Sequence, residues 1–232
     1  MKPKMIIKIG VDIAMTISLL LLMAYQLIGE NAHEWIGILM FVLFVVHHLL
    51  NGAWSKNLLR GKYNARRICQ TALVFLILLC MLGSMVSGII LSRYVFTFLK
   101  IRTGIAWAGR IHMLCAYWGF VFMSIHLGFH WNMMIAMARK SFPLACAGSA
   151  VSTVVSRVIA ALIAIYGVIA FGKRDIRNYL ILKNHFAFYD FSEPVIFFLL
   201  DYLAVMGLFV VIGYYLSKVL AKADRATLRQ TN

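Results

Sequence analysis

Residues Arg110–Trp131 read RIHMLCAYWGFVFMSIHLGFHW, apolar and aromatic enough to sit in a bilayer, yet they carry His112, His126 and His130, with Gly119 midway between the first two. Ionisable side chains at bilayer depth are rare and mark an ion path, a relay or a cofactor. The stretch therefore predicts a transmembrane helix with chemistry in it. The remainder of the chain has to supply partners for its histidines.

Composition points the same way. Of 232 residues, 62% are hydrophobic and the mean hydropathy is +0.85, against about 45–50% apolar residues in a soluble domain. An all-α, polytopic membrane helix bundle is expected, one integral domain over residues 1–232. The formal charge of +15 falls in short blocks between apolar runs, which suits lipid headgroups and topology setting and argues against a nucleic-acid partner. Cys69, Cys80, Cys115 and Cys146 are scattered, with no CxxC pair and no CxxCH attachment site. A covalent c-type haem and a cysteine-ligated zinc or iron–sulfur centre are thereby set aside, and any haem is held non-covalently.

Six spans are expected, at about residues 6–28, 33–54, 68–94, 105–137, 154–172 and 193–215. The first run is too long for a signal-peptide core and reads as a membrane anchor. Lys8 and Asp12 stand at i,i+4 in the opening turns and are expected to form a surface ion pair on one helical face at the interface. Asn31 and Glu34 have the spacing of an N-cap and its third-position partner. Gly83, Gly88, Ser84 and Ser87 give the third span a small-residue face for close packing. The segment SFPLACAGSA reads as a loop around Pro143. Residues 173–190 alternate basic and aromatic groups like a segment lying along the membrane surface. Asp190 or Ser192 is expected to cap the last helix, with Pro194 in its first turn. That helix is expected to end near Tyr215, before a frayed basic tail. Lys and Arg are richest at the amino terminus, after spans two and four and in the tail, which predicts that both termini are cytoplasmic.

The histidines repeat a spacing. His33 and His47 are 14 positions apart, and so are His112 and His126. Fourteen steps of 100° return to within about 40° of the starting face after a rise of about 21 Å. Each helix thus offers two imidazoles on roughly one face, one near each side of the membrane. Spans two and four run parallel, so His33 is level with His112 near the outer face and His47 with His126 near the inner one. Facing imidazole pairs at two depths are what two bis-histidine b-type haems need. Gly119 would let a flat macrocycle approach the backbone. Arg93, Arg102 and Arg110 outside, with Lys56, Arg66 and Arg67 inside, can neutralise propionates. His48 and His130 are alternatives to their neighbours as ligands, and can also bond a propionate or line a quinone pocket. His185 reads as solvated. Asp201 is a candidate proton acceptor or a partner of neighbouring hydroxyls.

The runs HEWIG, VVHHLLNGAW, GKYNARRI, SGIILSRYVF, IHMLCAYWGFVFMSIHLGFHW and FYDFSEPVIFFLLDYLAVMGLF together resemble the flavinylation-associated cytochromes of prokaryotic membranes. More distantly they resemble the cytochrome b subunits of formate dehydrogenases. The resemblance spans about Ile28 to Tyr215. It implies b-type haem, a menaquinol-linked role in the bacterial or archaeal cytoplasmic membrane, and partnership with an extracytoplasmic FMN-binding flavoprotein. It puts haem ligation on His112 and His126, opposite His33 and either His47 or His48. The chain then serves as the electron-transfer subunit of a membrane oxidoreductase, moving electrons between the quinone pool and that partner. The competing reading is a haem-free metal-ion transporter in which His47, His48, His126 and His130 form the metal site.

Overall fold

Apolar runs long enough to cross a bilayer need their backbone groups satisfied within the segment, and a helix does this with no partner chain. The computed structural model describes residues 3–61, 63–101, 103–141 and 150–230, and these form helices and turns without a strand. Among the described residues six helices are long and apolar enough to span a membrane: Lys4–Met23, Glu30–Leu50, Ala65–Leu91, Ile105–Met137, Thr153–Lys173 and Val195–Ala226. The chain is a multi-pass helical membrane protein. The loop around Pro143, Cys146, Lys62 and Arg102 lie outside the described residues.

In chain order the helices are α1 (Pro3–Met23), α2 (Tyr25–Ile28), α3 (Glu30–Leu50), α4 (Gly52–Lys56), α5 (Ala65–Leu91), α6 (Ile105–Ser141), α7 (Ala150–Lys173), α8 (Ile176–Leu180) and α9 (Val195–Gln230), with a 3-10 turn at Thr97–Leu99 before α6. The residues divide into two compact units. The first comprises Met1–Lys62, Leu78–Trp118 and Ile176–Leu200; the second comprises Tyr63–Ile77, Gly119–Asp175 and Asp201–Asn232.

Several boundaries differ from the sequence expectation, each for a local reason. The first span stops at Met23 and is followed by the separate turn of α2. Gly29, at φ +90°, turns the chain into α3 at Glu30 rather than at 33; a side chain would strain that left-handed backbone. Asn31 therefore falls inside the first turn and is no N-cap. Its supposed partner Glu34 accepts instead from Ser92 Oγ at 2.6 Å and from the N–H groups of Arg93, Tyr94 and Val95 at 2.7, 3.2 and 2.8 Å. Three peptide donors left over after α5 outbid one helix-cap donor. Span two breaks at Asn51, whose side-chain amide donates to the His47 carbonyl at 2.9 Å. Span three starts at Ala65, three residues early, because Asn64 Oδ1 accepts the Arg67 N–H at 2.9 Å as an N-cap does.

In the first unit, α1 and α3 lie side by side. The expected Lys8–Asp12 pair does not form: Lys8 Nζ donates to Asn51 Oδ1 at 2.8 Å, and Asp12 Oδ1 meets His47 Nδ1 at 2.7 Å. A local i,i+4 pair contributes only a few tenths of a kcal/mol, so partners on the neighbouring helix prevail. Residues 173–190 are better anchored than a surface segment needs to be. Within the first unit Ile176 and Tyr179 are buried, Tyr179 stacks on Tyr117 at 4.5 Å, and Trp118 Nε1 donates to the Leu180 carbonyl at 3.0 Å. Phe186, Phe188 and Phe191 remain exposed. Asp190 Oδ1 accepts the Ser192 N–H and hydroxyl, closing the turn ahead of α9, and Pro194 sits just before that helix with its carbonyl accepting the Phe197 N–H.

The second unit is built by close helix approach. A Cβ on Gly128 of α6 would run into the Val210 carbonyl of α9, one on Gly213 into the Ile125 carbonyl, and one on Gly167 of α7 into the Ala204 carbonyl. Small residues at such crossings let backbones touch where no hydrophobic force drives helices together. The tail past Tyr215 is not frayed: α9 runs on to Gln230, and Asp224 accepts the N–H groups of Ala65 and Arg66 at 2.9 and 3.3 Å. Those donors open α5 and lack intrahelical partners.

Candidate functional site

The small-residue face of α5 seats His112. Gly88 has no side chain, and a Cβ there would already touch His112 Cε1 at 3.5 Å; a Cβ on Gly83 would strike Cys115 Sγ. The ring of His112 fills the space, with Nδ1 at 3.1 Å from the Ser84 carbonyl and 3.1 Å from Ser87 Oγ. Ser87 Oγ itself donates to the Gly83 carbonyl at 2.5 Å. A carbonyl can only accept, so Nδ1 carries the proton and Nε2 presents a lone pair.

His33 of α3 faces this ring, with centroids 6.0 Å apart and planes at 65°. His33 Nδ1 is buried and makes no hydrogen bond, although the Leu22 backbone lies close by. Tyr25 packs edge-on against His33 at 4.9 Å. Burial and its hydrogen bond to Glu30 push the Tyr25 phenol up to about 12, so it stays neutral beside the imidazole. Two neighbouring imidazoles, one with its tautomer fixed, are the donor class that a non-covalent b-type haem would take.

At the other end of α3, His47 is held by Asp12 through Nδ1, while Asn51 Nδ2 approaches its Nε2 at 3.4 Å. His48 Nδ1 meets the Phe44 carbonyl of its own helix at 2.9 Å, and its ring packs on buried Phe44 at 4.3 Å. His48 thus presents Nε2, whereas Nε2 of His47 takes the Asn51 amide. They belong to the first unit.

In the second unit His126 and His130 sit with ring centroids 4.7 Å apart. Gln70 Nε2 lies 3.2 Å from His130 Nε2, so this nitrogen of His130 is committed to an amide. Gly119 is buried on α6. The basic residues sort clearly. Arg66 Nε is buried without a partner, which suits a propionate; Arg67 covers the Tyr63 ring, Arg93 pairs with Glu30 at 3.3 Å, and Arg110 is exposed with its guanidinium 5.3 Å from the Trp107 ring centroid. His185 is exposed. Asp201 is 1% exposed and bonded by Tyr166 Oη at 2.5 Å, Lys173 Nζ at 2.8 Å and Arg174 Nε and Nη2 at 2.8 and 2.7 Å. So enclosed, it ties α7 to α9 and has no free oxygen face for a proton acceptor.

Two features escaped the sequence. Asp12 as the partner of His47 is hidden by a separation of 35 positions, and its i,i+4 neighbour Lys8 gave a competing local explanation. Cys80 and Cys115, on different helices, bring their thiols into hydrogen-bonding contact. A spacing of that kind carries no signal.

The six long apolar helices among the described residues define a multi-pass helical membrane protein. No protein-family model, curated protein or solved structure matches the chain.

Proposed function

We propose that the protein is a dihaem b-type cytochrome carrying electrons across the bilayer between quinol and an extracytoplasmic redox partner, a flavoprotein by the sequence resemblance. The observation that carries this is the His33–His112 pair: ring centroids 6.0 Å apart, with the His112 tautomer fixed by the Ser84 carbonyl. A haem held there supplies one-electron redox chemistry at its iron. The chain's own residues supply the rest. Ser84 and Ser87 orient His112, Gly88 leaves room for its ring, and the apolar helices exclude water. The second haem rests on sequence register, His47 and His126 each standing 14 residues after an outer histidine. Arg66 is the residue best suited to a propionate on that side. Both termini are assigned to the cytoplasm from the Lys and Arg bias.

The transporter reading needs three or four ligating side chains together. Among the described residues no three His, Cys, Asp or Glu side chains form such a group. The deciding experiment is a reduced-minus-oxidised spectrum and pyridine haemochrome assay on purified protein. Two haems per chain are expected, and one after His33→Ala. A colourless protein that binds stoichiometric zinc or copper would overturn the reading.

A further inference from the structure

We propose that Cys80 and Cys115 form a redox-active dithiol, closed to a disulfide by a lipid-soluble quinone, and that the bridge fastens α5 to α6 beside His112. The inference needs no haem and stands apart from the electron-transfer reading above.

Both cysteines belong to the first unit, and their thiols are in hydrogen-bonding contact where α5 crosses α6. The crossing is close because Gly83 carries no side chain. A Cβ placed there would strike Cys115 Sγ and would lie 3.6 Å from Cys115 Cβ. A disulfide requires about 3.5–4.5 Å between its Cβ atoms, so the two backbones run at a separation that such a bridge spans. Cys80 stands three residues before Gly83, a neighbour on the same helix face. Thiols are weak donors and weak acceptors, so their contact adds little to packing as a polar pair. What sets two adjacent thiols apart is that they can be oxidised together. Their register ties them to the histidine seat: Cys115 follows His112 by three residues, and Cys80 precedes by four the Ser84 whose carbonyl meets His112 Nδ1 at 3.1 Å.

Depth selects the oxidant. Cys115 lies ten residues into α6 and Cys80 eleven residues before the end of α5, about 15 and 16 Å along their helices. That is near the middle of a hydrocarbon core about 30 Å thick, where a water-soluble oxidant does not enter. Both cysteines are partly exposed, and the exposed side chains of Leu79 and Ile111 flank them. An exposed apolar flank at that depth meets lipid and admits a lipid-soluble molecule. A quinone matches the stoichiometry of the step. Both S–H bonds break and one S–S bond forms; the two electrons and two protons pass to the quinone oxygens, which leave as the hydroxyls of a quinol. No charge is left behind in the apolar medium.

The test incubates reduced, full-length protein in liposomes, without oxygen, with and without decylubiquinone, a benzoquinone that has no ring position open to thiol addition. The chain is then denatured, alkylated and analysed by mass spectrometry. All four cysteines of the sequence should label without quinone, and only Cys69 and Cys146 with it. Cys80 and Cys115 should be recovered in one cross-linked peptide pair, and dithiothreitol should restore their labels. Cys69→Ser should still close the bridge, whereas Cys80→Ser and Cys115→Ser should each keep all three remaining labels. The bridged protein should unfold at a higher temperature than the reduced one, a shift reversed by dithiothreitol. The proposal is overturned if wild type keeps four labels with quinone, if the lost labels belong to another pair or to two chains, or if the bridge closes equally well without quinone. A bridge that leaves the unfolding temperature unmoved would overturn the fastening of α5 to α6.

Discussion

The Nδ1 atom of His112 on α6 sits 3.1 Å from the backbone carbonyl of Ser84 on α5, across a helix contact that Gly83 and Gly88 keep free of side chains. A backbone oxygen cannot rotate away or be mutated out, so this contact fixes the imidazole more firmly than a side-chain partner would.

The seat has a measurable tolerance. A Cβ at position 88 would rest in ordinary contact with the His112 ring, at 3.5 Å. On the dihaem reading, Gly88→Ala should therefore keep both haems, whereas the branched side chain of Gly88→Val should displace the ring and lose one. Haem per chain by pyridine haemochrome distinguishes the two variants.

Glu34 ties the turn after α5 to α3 through four hydrogen bonds, one from Ser92 Oγ and three from backbone N–H groups. Bonds to a charged acceptor contribute more than neutral ones, though partly exposed donors recover water when the acceptor is lost. Glu34→Ala is expected to cost about 2 kcal/mol of stability. Thermal unfolding in detergent reads the loss. Amide exchange should quicken at Arg93, Tyr94 and Val95, and little elsewhere.

Gly128 faces backbone atoms of α9, the Val210 carbonyl among them, and backbone cannot move aside as a flexible side chain can. Gly128→Ala should destabilise by about 3 kcal/mol through overpacking. At Gly10, by contrast, an added methyl group would find no atom within 4 Å. Gly10→Ala should be neutral or slightly stabilising, since alanine favours the helix by roughly 0.5–1 kcal/mol. Comparison of the two unfolding midpoints checks the pair.

Asp201 neutralises Arg174, which is itself 12% exposed. Removing one partner of a buried pair leaves an uncompensated charge, at a cost of about 3–5 kcal/mol. Asp201→Ala is expected to show that loss, and Asp201→Ala with Arg174→Met to recover part of it. A double mutant no more stable than Asp201→Ala alone would rule out this account.

What could be read beforehand follows from what a helix fixes by itself. Hydrophobic run lengths gave six spans, because a bilayer sets the length of an unpartnered helix. The 14-residue histidine spacing gave shared faces, because the helical repeat is constant. The α5 small-residue face was visible as a pattern, but not its occupant. Helix ends departed from expectation by three residues at Ala65, which Asn64 and the distant Asp224 fix, and by fifteen at Gln230.

The sequence alone determined an all-α membrane protein and which histidines share a helix face. The tertiary structure decided partners: His112 with Ser84, Asp12 with His47 rather than Lys8, Glu34 with a loop rather than its own helix, and Asp201 with two cations. Periodicity is a property of one helix, whereas a polar side chain in an apolar medium bonds the best-placed donor or acceptor within reach. Only the packing of helices determines which one that is.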